Sequence, residues 1–229
     1  MYLSNWRQKF LLLLLGLLSY SFLAAQSNWV SRIQAGEELE YLVHYGWING
    51  GKAKLTLEKT TLKGRDVYHA KAVGRTIGLA DRLFRVYDVY ESYFDPDTKL
   101  PVKAIRNVRE GRYRRYNEVF FNHDERSLRS MRSGKKAYPD SLKRYLFDIL
   151  SAFYYARDHK FNTISRDRII TLDTYFTDKF WPLTIRFTGY ETVKTKLGKI
   201  PCFRFSPVVE PGRVFESKDD VSIYISRDQ

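Results

Sequence analysis

The sequence predicts a mainly β fold, a β-rich α+β domain in which a curved antiparallel sheet or an open barrel carries one amphipathic helix packed against it. Long stretches alternate between apolar and polar residues with period two, which is typical of half-buried strands. Residues that favour turns separate these stretches. One segment alone shows the i, i+3, i+4 spacing of a helix that buries one face.

The first strands are predicted as a hairpin. In residues 39–47 every odd position is apolar or aromatic, so one face of this strand is expected in the core. Asn49-Gly50-Gly51 tolerates positive φ and predicts a tight turn. Alternation then restarts with Ala53, Leu55 and Leu57 on one face.

Further strands are predicted on both sides of the helical segment. They cover about residues 66–74, 86–94, 102–110 and 112–122, and then 167–176, 182–195, 200–209 and 213–225. A short helical turn is expected at Gly78 to Phe84. No linker, repeat or low-complexity tract interrupts the chain, so residues 26–229 are predicted as one β-rich domain. Turn-forming residues follow the last strand with no partner strand behind them, which predicts a domain truncated at its C-terminus.

The helical segment is predicted to run from Ser141 to Arg157, with Asp140 or Ser141 as its cap. The apolar residues that predict its buried face are Leu142, Tyr145, Leu146, Ile149, Leu150, Phe153 and Tyr154. Lys143, Arg144, Asp148 and Ser151 are expected largely on the opposite side.

The N-terminus has the pattern of a cleavable signal peptide, residues 1–25. Arg7 and Lys9 precede an apolar stretch, and Ala24 and Ala25 offer a processing site, with cleavage expected after Ala25. The alternative is a membrane anchor, but the uncharged stretch of 16 residues is shorter than the roughly 20 of a spanning helix. No cysteine is near to accept a lipid. We therefore expect a periplasmic protein that does not span the membrane after cleavage.

The chain is strongly basic. Its net charge is +13, and removing residues 1–25, which hold two basic and no acidic side chains, leaves +11. Export argues against a nucleic-acid partner, so the expected anions are phospholipid head groups and lipopolysaccharide phosphates. The alternative is a basic surface that only keeps the protein soluble. The single cysteine, Cys202, cannot form an internal disulfide and is expected to be buried.

Three stretches together resemble a known family. They are residues 87–95 (YDVYESYFD), residues 100–102 (LPV) and the helical stretch 148–157 (DILSAFYYAR), of which the last is the most specific. They are similar to the exported bacterial family catalogued as domain of unknown function 3108, common in Gram-negative bacteria including the Bacteroidetes. The resemblance spans about residue 36 to the C-terminus. It implies a periplasmic β-rich protein that continues with a further hairpin, and it supplies no catalytic residues.

The residues that usually carry catalysis or bind metal form no recognisable pattern. The four histidines, His44, His69, His123 and His159, lack the spacing of a zinc site, although His44 and His69 are candidates to meet across neighbouring strands. No Gly-x-Ser-x-Gly turn is present. Asp88, Glu91 and Asp148 are candidates for an acid/base pair, but the first two are expected on opposite strand faces. No catalytic residue, metal or cofactor is predicted.

Arginines interleaved with tyrosines are the predicted ligand-binding residues. One group is Arg82, Arg85, Tyr87 and Tyr90, and the other is Arg112, Tyr113, Arg114, Arg115 and Tyr116. In the second group positions 112, 114 and 116 share one strand face, while 113 and 115 share the other. Guanidinium groups beside rings suit an amphiphilic anionic ligand. The alternative is a cross-strand ladder on a solvated face.

Three functional hypotheses follow. The first is a non-catalytic periplasmic binding or carrier protein, with an apolar groove rimmed by basic side chains and a lipid or lipopolysaccharide as ligand. The second is an envelope assembly factor that contacts protein partners through its sheet edges or basic face. The third is a hydrolase whose site the spacing does not show.

Overall fold

The computed structural model describes residues 33–45, 48–132, 135–137, 145–158, 164–195, 197–208 and 222–227. These residues form two antiparallel sheets and two helices, which confirms the predicted β-rich fold. Within the described ranges, no helix has the length and apolar character needed to cross a membrane.

The first sheet is a curled meander of eight strands, each paired with its neighbours in the sequence. Its strands are β1 Glu38–Tyr45, β2 Ile48–Leu62, β3 Arg65–Thr76, β4 Tyr87–Phe94, β5 Pro101–Glu110, β6 Tyr113–Asn122, β7 Ser127–Arg132 and β8 Lys135–Ala137. The second sheet has the order β12-β11-β10-β9. Its strands are β9 Ile169–Phe176, β10 Lys179–Thr195, β11 Gly198–Pro207 and β12 Ile223–Ser226. The helices are α1 Gly78–Leu83 and α2 Ile149–Asp158.

Two tight turns show how the hairpins close. Lys63 and Gly64 join β2 to β3 with φ of 53° and 79°, and Thr177 and Asp178 join β9 to β10 with φ of 53° and 62°. Two central residues with positive φ define the type I′ turn, whose twist matches that of the flanking strands. Both hairpins therefore hold a fixed register.

The predicted turn at Asn49-Gly50-Gly51 is wrong. These residues lie inside β2, and the β1–β2 pairing continues to Tyr45 opposite Ile48. Gly51 serves a different purpose, because a Cβ there would lie 3.1 Å from the carbonyl oxygen of Arg75 on β3. The glycine thus allows a close approach of two strands rather than a turn.

The predicted core face of the first strand is also partly wrong. Tyr41 is 46% exposed and Val43 is 56% exposed. Both lie on β1, which is the edge of the first sheet. Leu39 packs against the core from this face, whereas Trp47 and the side chain of Tyr45 lie outside what the structure describes. Strands β7 and β8 were not predicted from the sequence.

One face of the first sheet, here called the inner face, carries the core. A first cluster joins it to α2 and comprises Ile33, Leu55, Leu57, Tyr68, Ala70, Phe94, Leu150 and Tyr154. A second cluster comprises Val119, Phe121, Leu128, Leu146 and Tyr175, and therefore joins the inner face to β9. A third lies in the second sheet, where Cys202 is buried as expected. The predicted packing of the helix on the sheet is confirmed.

Helix α2 begins later than predicted. It starts at Ile149, and Phe147 instead forms a parallel bridge with Thr174 of β9. The expected caps, Asp140 and Ser141, lie outside the described residues. The observed cap is Asp148, whose Oδ1 accepts hydrogen bonds from the backbone N–H of Leu150 at 2.9 Å and of Ser151 at 3.3 Å.

Asp148 and Ser151 are buried, so their predicted position on the solvent side of the helix is wrong. Ser92 of β4 donates a hydrogen bond of 2.5 Å from its Oγ to Asp148 Oδ2, and Ser151 Oγ accepts one of 3.0 Å from the Asp148 backbone N–H. Burial raises the pKa of Asp148, although the hydrogen bonds from Ser92 and the helix oppose this shift. One carboxyl group thus starts the helix and fastens it to the inner face.

The variant Asp148→Asn tests this buried carboxyl through pH. A carboxyl whose pKa is raised on folding holds its proton more tightly in the native than in the unfolded state, so its contribution to stability falls as pH rises above about 4. We therefore expect the wild-type free energy of unfolding, minus that of Asp148→Asn, to decrease between pH 4 and pH 7. Urea unfolding followed by circular dichroism measures both.

The control is Asp97→Asn, which removes an exposed carboxyl from a turn. Other titrating groups are shared by all three proteins and cancel in the differences. A wild-type minus Asp148→Asn difference that rises with pH contradicts the assignment of burial as the dominant effect.

Candidate ligand-binding groove

An open groove of about 570 Å³ lies between α2, β1 and the second sheet, and it is here called the apolar groove. Its lining residues are Leu39, Tyr41, Ile149, Ala152, Phe153, Tyr155, Ala156, Arg157, Ile170, Leu172, Leu183, Ile185, Ile223, Tyr224, Ile225 and Ser226. Arg157 is the charged residue among them. The volume lies within the range of about 300–1,000 Å³ typical of small-molecule sites.

Strand register forms one wall of the apolar groove. Leu172 pairs with Leu183 and Ile170 pairs with Ile185 between β9 and β10, and residues opposite each other in an antiparallel pair share a face. Strand β12 adds Ile223, Tyr224 and Ile225 to the lining. The second sheet thus turns an apolar surface toward the helix.

Helix α2 forms the opposite wall through a second apolar stripe. Ile149, Ala152, Phe153 and Ala156 follow the i, i+3, i+4, i+7 spacing that places residues on one helix face. Leu150 and Tyr154 instead pack into the first core cluster, while Phe153 also touches it. Of the apolar positions that predicted one buried face, those on α2 are therefore divided between the core and the groove. Tyr145 is exposed ahead of the helix, and Leu142 lies outside the described residues.

The cation at the groove rim is neutralised. Arg157 donates two hydrogen bonds to the carboxylate of Glu37, at 2.5 and 2.7 Å, and its guanidinium lies over the rings of Phe153 and Tyr154. Burial raises the pKa of both Tyr41 and Tyr154, so both hydroxyls stay neutral. Among the described residues, the buried Tyr154 hydroxyl has no hydrogen-bond partner. The Arg157–Glu37 ion pair and the neutral Tyr41 hydroxyl therefore leave the rim of the apolar groove without net charge.

A second groove, about 670 Å³ and here called the basic groove, lies on the outer face of the first sheet. Its lining residues are Glu40, Tyr41, Leu42, Lys52, Ala53, Lys54, Thr56, Lys71, Val73, Arg75 and Tyr87. Lys54 pairs with Glu38 at 2.9 Å. Within the described part of the chain, Lys52, Lys71 and Arg75 have no carboxylate at ion-pair distance. Tyr41 lines both grooves, so the edge strand β1 separates them.

None of the nine predicted ligand-binding residues lines the apolar groove. In the first group, Arg82 is exposed on α1, Arg85 pairs with Asp81 at 3.1 Å, and Tyr87 lines the basic groove. Tyr90 lies on the inner face, where its ring stacks with Phe176 and its hydroxyl accepts a hydrogen bond of 3.3 Å from Arg106 Nε. The group is therefore divided between two faces.

The second predicted group is also divided. Arg112 lies in the β5–β6 turn. Its side chain is exposed, and so are the side chains of Tyr113, Arg114 and Tyr116 on β6. Strand register confirms the predicted alternation only for the residues on β6. Arg115 pairs with the buried Val108 on the inner face, whereas Arg114 pairs with the exposed Arg109. Arg115 binds a carboxylate of the protein itself, Asp178, at 2.9 Å. A ligand-binding role for either group stays a prediction.

Asp178 is a residue whose role the sequence did not reveal. In addition to Arg115, its carboxylate accepts hydrogen bonds from Asn117 Nδ2 at 3.0 Å, Ser130 Oγ at 2.7 Å and Arg132 Nη1 at 3.1 Å. Thr177-Asp178 lies between two alternating stretches, a position that predicts a hairpin turn. The sequence pattern does not predict which residues the Asp178 carboxylate contacts. The β9–β10 turn is thereby fastened to the inner face of the first sheet, which fixes one wall of the apolar groove.

The candidate histidines that the structure describes lie apart from one another. His44 lies opposite Asn49, whereas His69 lies opposite Glu58 and Tyr93, so the two histidines do not meet. His69 Nε2 is hydrogen-bonded to Glu91 Oε2 at 2.8 Å, and the His69 ring stacks on the ring of Tyr93. Among the described residues, no group of three or more histidine, cysteine or acidic side chains is arranged to hold a metal ion. His159 lies outside the described residues.

A family model described as a protein of unknown function (DUF3108) matches residues 40–229. The chain belongs to this family. The family resemblance drawn from the β4 and α2 motifs is thereby confirmed. Neither a curated protein nor a solved structure gives a match.

The variant Asp178→Asn tests the anchor of the β9–β10 hairpin. Asparagine accepts the left-handed backbone of this turn but removes the charge that Arg115 and Arg132 share. Because hydrogen bonds to charged groups contribute about 1.5–3 kcal/mol, we expect the free energy of unfolding to fall by about 2 kcal/mol. Urea unfolding measures the loss.

Asp167→Asn is the matched control, since Asp167 has a φ of 63° in an exposed turn. It is expected to change the free energy of unfolding by less than about 0.5 kcal/mol. Equal losses in the two variants would show that the turn, and not the docked carboxylate, limits stability.

Proposed function

We propose that this protein is a non-catalytic binding or carrier protein, exported to the periplasm, for an amphiphilic anionic ligand of the envelope such as a lipid or lipopolysaccharide. The supporting observation is the apolar groove, whose two walls are lined by leucine, isoleucine and phenylalanine side chains that are mostly half-buried, with Ile149 and Ile223 exposed. Exposed apolar surface costs about 25 cal/mol for each Å². A hydrocarbon chain lying along the groove removes this cost, and each buried methylene contributes about 0.8 kcal/mol.

The basic groove supports an anionic head group. It lies on the other side of β1 from the apolar groove, and Lys52, Lys71 and Arg75 there have no carboxylate partner among the described residues. A ligand that crosses the edge at Tyr41 places its chain in one groove and its phosphate or carboxylate in the other. Charge-assisted hydrogen bonds from lysine and arginine then fix its orientation.

Export is part of the proposal, and it rests on the sequence. The basic residues Arg7 and Lys9, the apolar stretch and the small residues before position 26 are typical of a signal peptide. A periplasmic location would supply ligands of the required chemistry, since both membranes there expose phosphate groups.

A second candidate function is an envelope assembly factor. Its supporting observation is the edge strand β1, where Tyr41, Leu42 and Val43 are all exposed. An exposed apolar edge is suited to the addition of a strand from another protein. The two candidates differ in what occupies the grooves, so a direct binding assay separates them.

The variant Leu172→Glu tests the apolar groove. The full chain is expressed in a Gram-negative host, purified and titrated with cis-parinaric acid, a fluorescent fatty acid. We expect saturable binding by the wild type and at least about a tenfold weaker affinity in the variant, because a carboxylate in the groove cannot be desolvated without a partner. The change in fluorescence on titration measures affinity.

Thr171→Glu is the control, since Thr171 is exposed and lies on the opposite face of β9. It is expected to bind the fatty acid as the wild type does. Absence of saturable binding to the wild type, or equal binding by the two glutamate variants, contradicts the carrier proposal and favours the assembly factor.

The double variant Lys52→Glu with Lys71→Glu tests the basic groove. We expect it to weaken the affinity for cis-parinaric acid about tenfold or more, but to leave the affinity for the uncharged probe 1-N-phenylnaphthylamine unchanged. Lys59→Glu with Lys199→Glu changes the net charge equally at exposed positions outside both grooves. An equal loss in the control pair would indicate a general charge effect, and an equal loss for the uncharged probe would indicate damage to the fold.

A further inference from the structure

Helix α1 and the residue that follows it present three large apolar side chains to solvent. Leu79 is 67% exposed, Leu83 is 78% exposed and Phe84 is 56% exposed, while no residue of α1 is buried. We call these three side chains the apolar tip. A single exposed leucine is ordinary, but three together on one short segment indicate a contact surface.

The segment that carries the apolar tip is firmly held. The backbone N–H of Ile77 donates to the carbonyl of Gly50 at 3.0 Å, and that of Gly111 donates to the carbonyl of Arg85 at 2.7 Å. Thr76 Oγ1 donates to Asp81 at 3.0 Å. Hydrogen bonds from Arg85 and Thr76 lower the pKa of Asp81, so its carboxylate stays charged. The exposed side chains therefore stand on an ordered base rather than on a frayed loop.

The apolar tip lies at one end of the first sheet. In a meander, the connections after β1, β3 and β5 lie at the same end, and α1 is the connection after β3. A Cβ on Gly111 would lie 2.7 Å from the ring of Phe84, which shows how closely the β5–β6 turn approaches the tip. The Gly50 stretch of β2 contacts the tip segment from the other side, since a Cβ there would lie 3.9 Å from Ala80.

Cations surround the apolar tip. A depression of about 570 Å³ beside α1 is lined by Arg75, Arg85, Arg109 and Arg114, with Asp81 as its acidic residue. Arg82 is exposed on α1 itself, and Arg112 is exposed in the adjacent β5–β6 turn. Five of these six arginines, all except Arg85, have no carboxylate at ion-pair distance within the described ranges. Their charge is left for an external anion.

We propose that this end of the sheet docks on the surface of a phospholipid bilayer that contains anionic lipids. The apolar tip inserts among the head groups, as aromatic and leucine side chains do at membrane interfaces, and the surrounding arginines bind lipid phosphates. Guanidinium groups bind phosphate in a bidentate manner. The side chains of the tip stand out into solvent instead of lining a cleft, which fits a fluid surface better than a shaped protein partner.

This docking surface is separate from the apolar groove. None of the three tip side chains lines either groove. The docking surface contains five of the residues predicted from the sequence as ligand contacts, Arg82, Arg85, Tyr87, Arg112 and Arg114. Arg75 and Tyr87 also line the basic groove, so the docking surface adjoins that groove. The side chains that insert belong to neither groove, and docking therefore adds a membrane-binding activity that requires no ligand in the apolar groove.

Vesicle sedimentation tests the proposal. The purified full chain is mixed with vesicles of phosphatidylethanolamine and phosphatidylglycerol in a 7:3 ratio, or with vesicles of phosphatidylcholine alone. We expect the wild type to sediment with the anionic vesicles and not with the neutral ones. Leu79→Ser with Leu83→Ser should reduce binding about tenfold or more, whereas Leu197→Ser, at a 90% exposed leucine in another turn, should not.

A charge variant and a fluorescence variant complete the test. Arg82→Glu with Arg112→Glu should abolish sedimentation with anionic vesicles. The control is Arg166→Glu with Arg168→Glu, which makes the same charge change at exposed positions between α2 and β9. Most of the control protein should still sediment. Phe84→Trp should show a blue shift of its added emission with anionic vesicles. Unchanged urea midpoints and unchanged cis-parinaric acid affinity in the serine variant will show that fold and groove are intact.

Several results would overturn the proposal. For the wild type, these are equal binding to neutral and anionic vesicles, or no binding to either. For the variants, they are binding as strong as that of the wild type after Leu79→Ser with Leu83→Ser, or a Phe84→Trp protein that sediments with vesicles without a blue shift of its emission. Equal losses in tip variants and controls would do the same. Binding of a short DNA duplex that depends on the arginines but not on the leucines would identify a general polyanion surface instead.

Discussion

The contact of Asp148 with Ser92 is the constraint on which the arrangement of the molecule depends. A buried carboxyl group is costly unless its oxygens are hydrogen-bonded, and here the helix N-terminus and one strand serine supply the donors. The backbone of the preceding residue, Phe147, forms hydrogen bonds with the backbone of Asp173 and of Tyr175 on β9. Two consecutive residues therefore attach one chain segment to both sheets, and this sets the distance between α2 and the walls of the apolar groove.

Asp178 completes this frame from the opposite side. Its four donors lie on β6 and β7, so the β9–β10 hairpin is held to the inner face by a charged network rather than by apolar packing alone. Apolar contacts tolerate sliding, whereas hydrogen bonds to a charged group fix a geometry. The sheet does not need to collapse onto the helix to be held, so the half-buried Leu172 and Leu183 can line an open groove toward α2.

Local patterns predicted the β-rich class, most strands, the short helix α1 and the packing of one amphipathic helix on the sheet. They failed where tertiary contacts decide. Asn49-Gly50-Gly51 has the composition of a turn, yet Gly51 is needed for close strand approach. Asp148 and Ser151 have polar side chains and were predicted on the solvent side, but both are buried. Ser92, 56 residues away in sequence, provides a partner for Asp148, and Asp148 in turn bonds Ser151. The apolar groove likewise required two distant segments to be placed together.

Two of the apolar surfaces on the described part of the chain, the apolar groove and the apolar tip, differ in shape and in the charge around them. At the apolar groove the surface is concave and its rim cation, Arg157, is neutralised by Glu37, which suits the enclosed chain of a single ligand. At the apolar tip the side chains stand outward among six arginines, of which only Arg85 has a carboxylate partner in the described ranges, and this suits an extended anionic surface. A protein that only needed solubility would gain from polar residues at both places. The contrast in shape and charge is the physical reason for assigning the two surfaces to two different kinds of lipid contact.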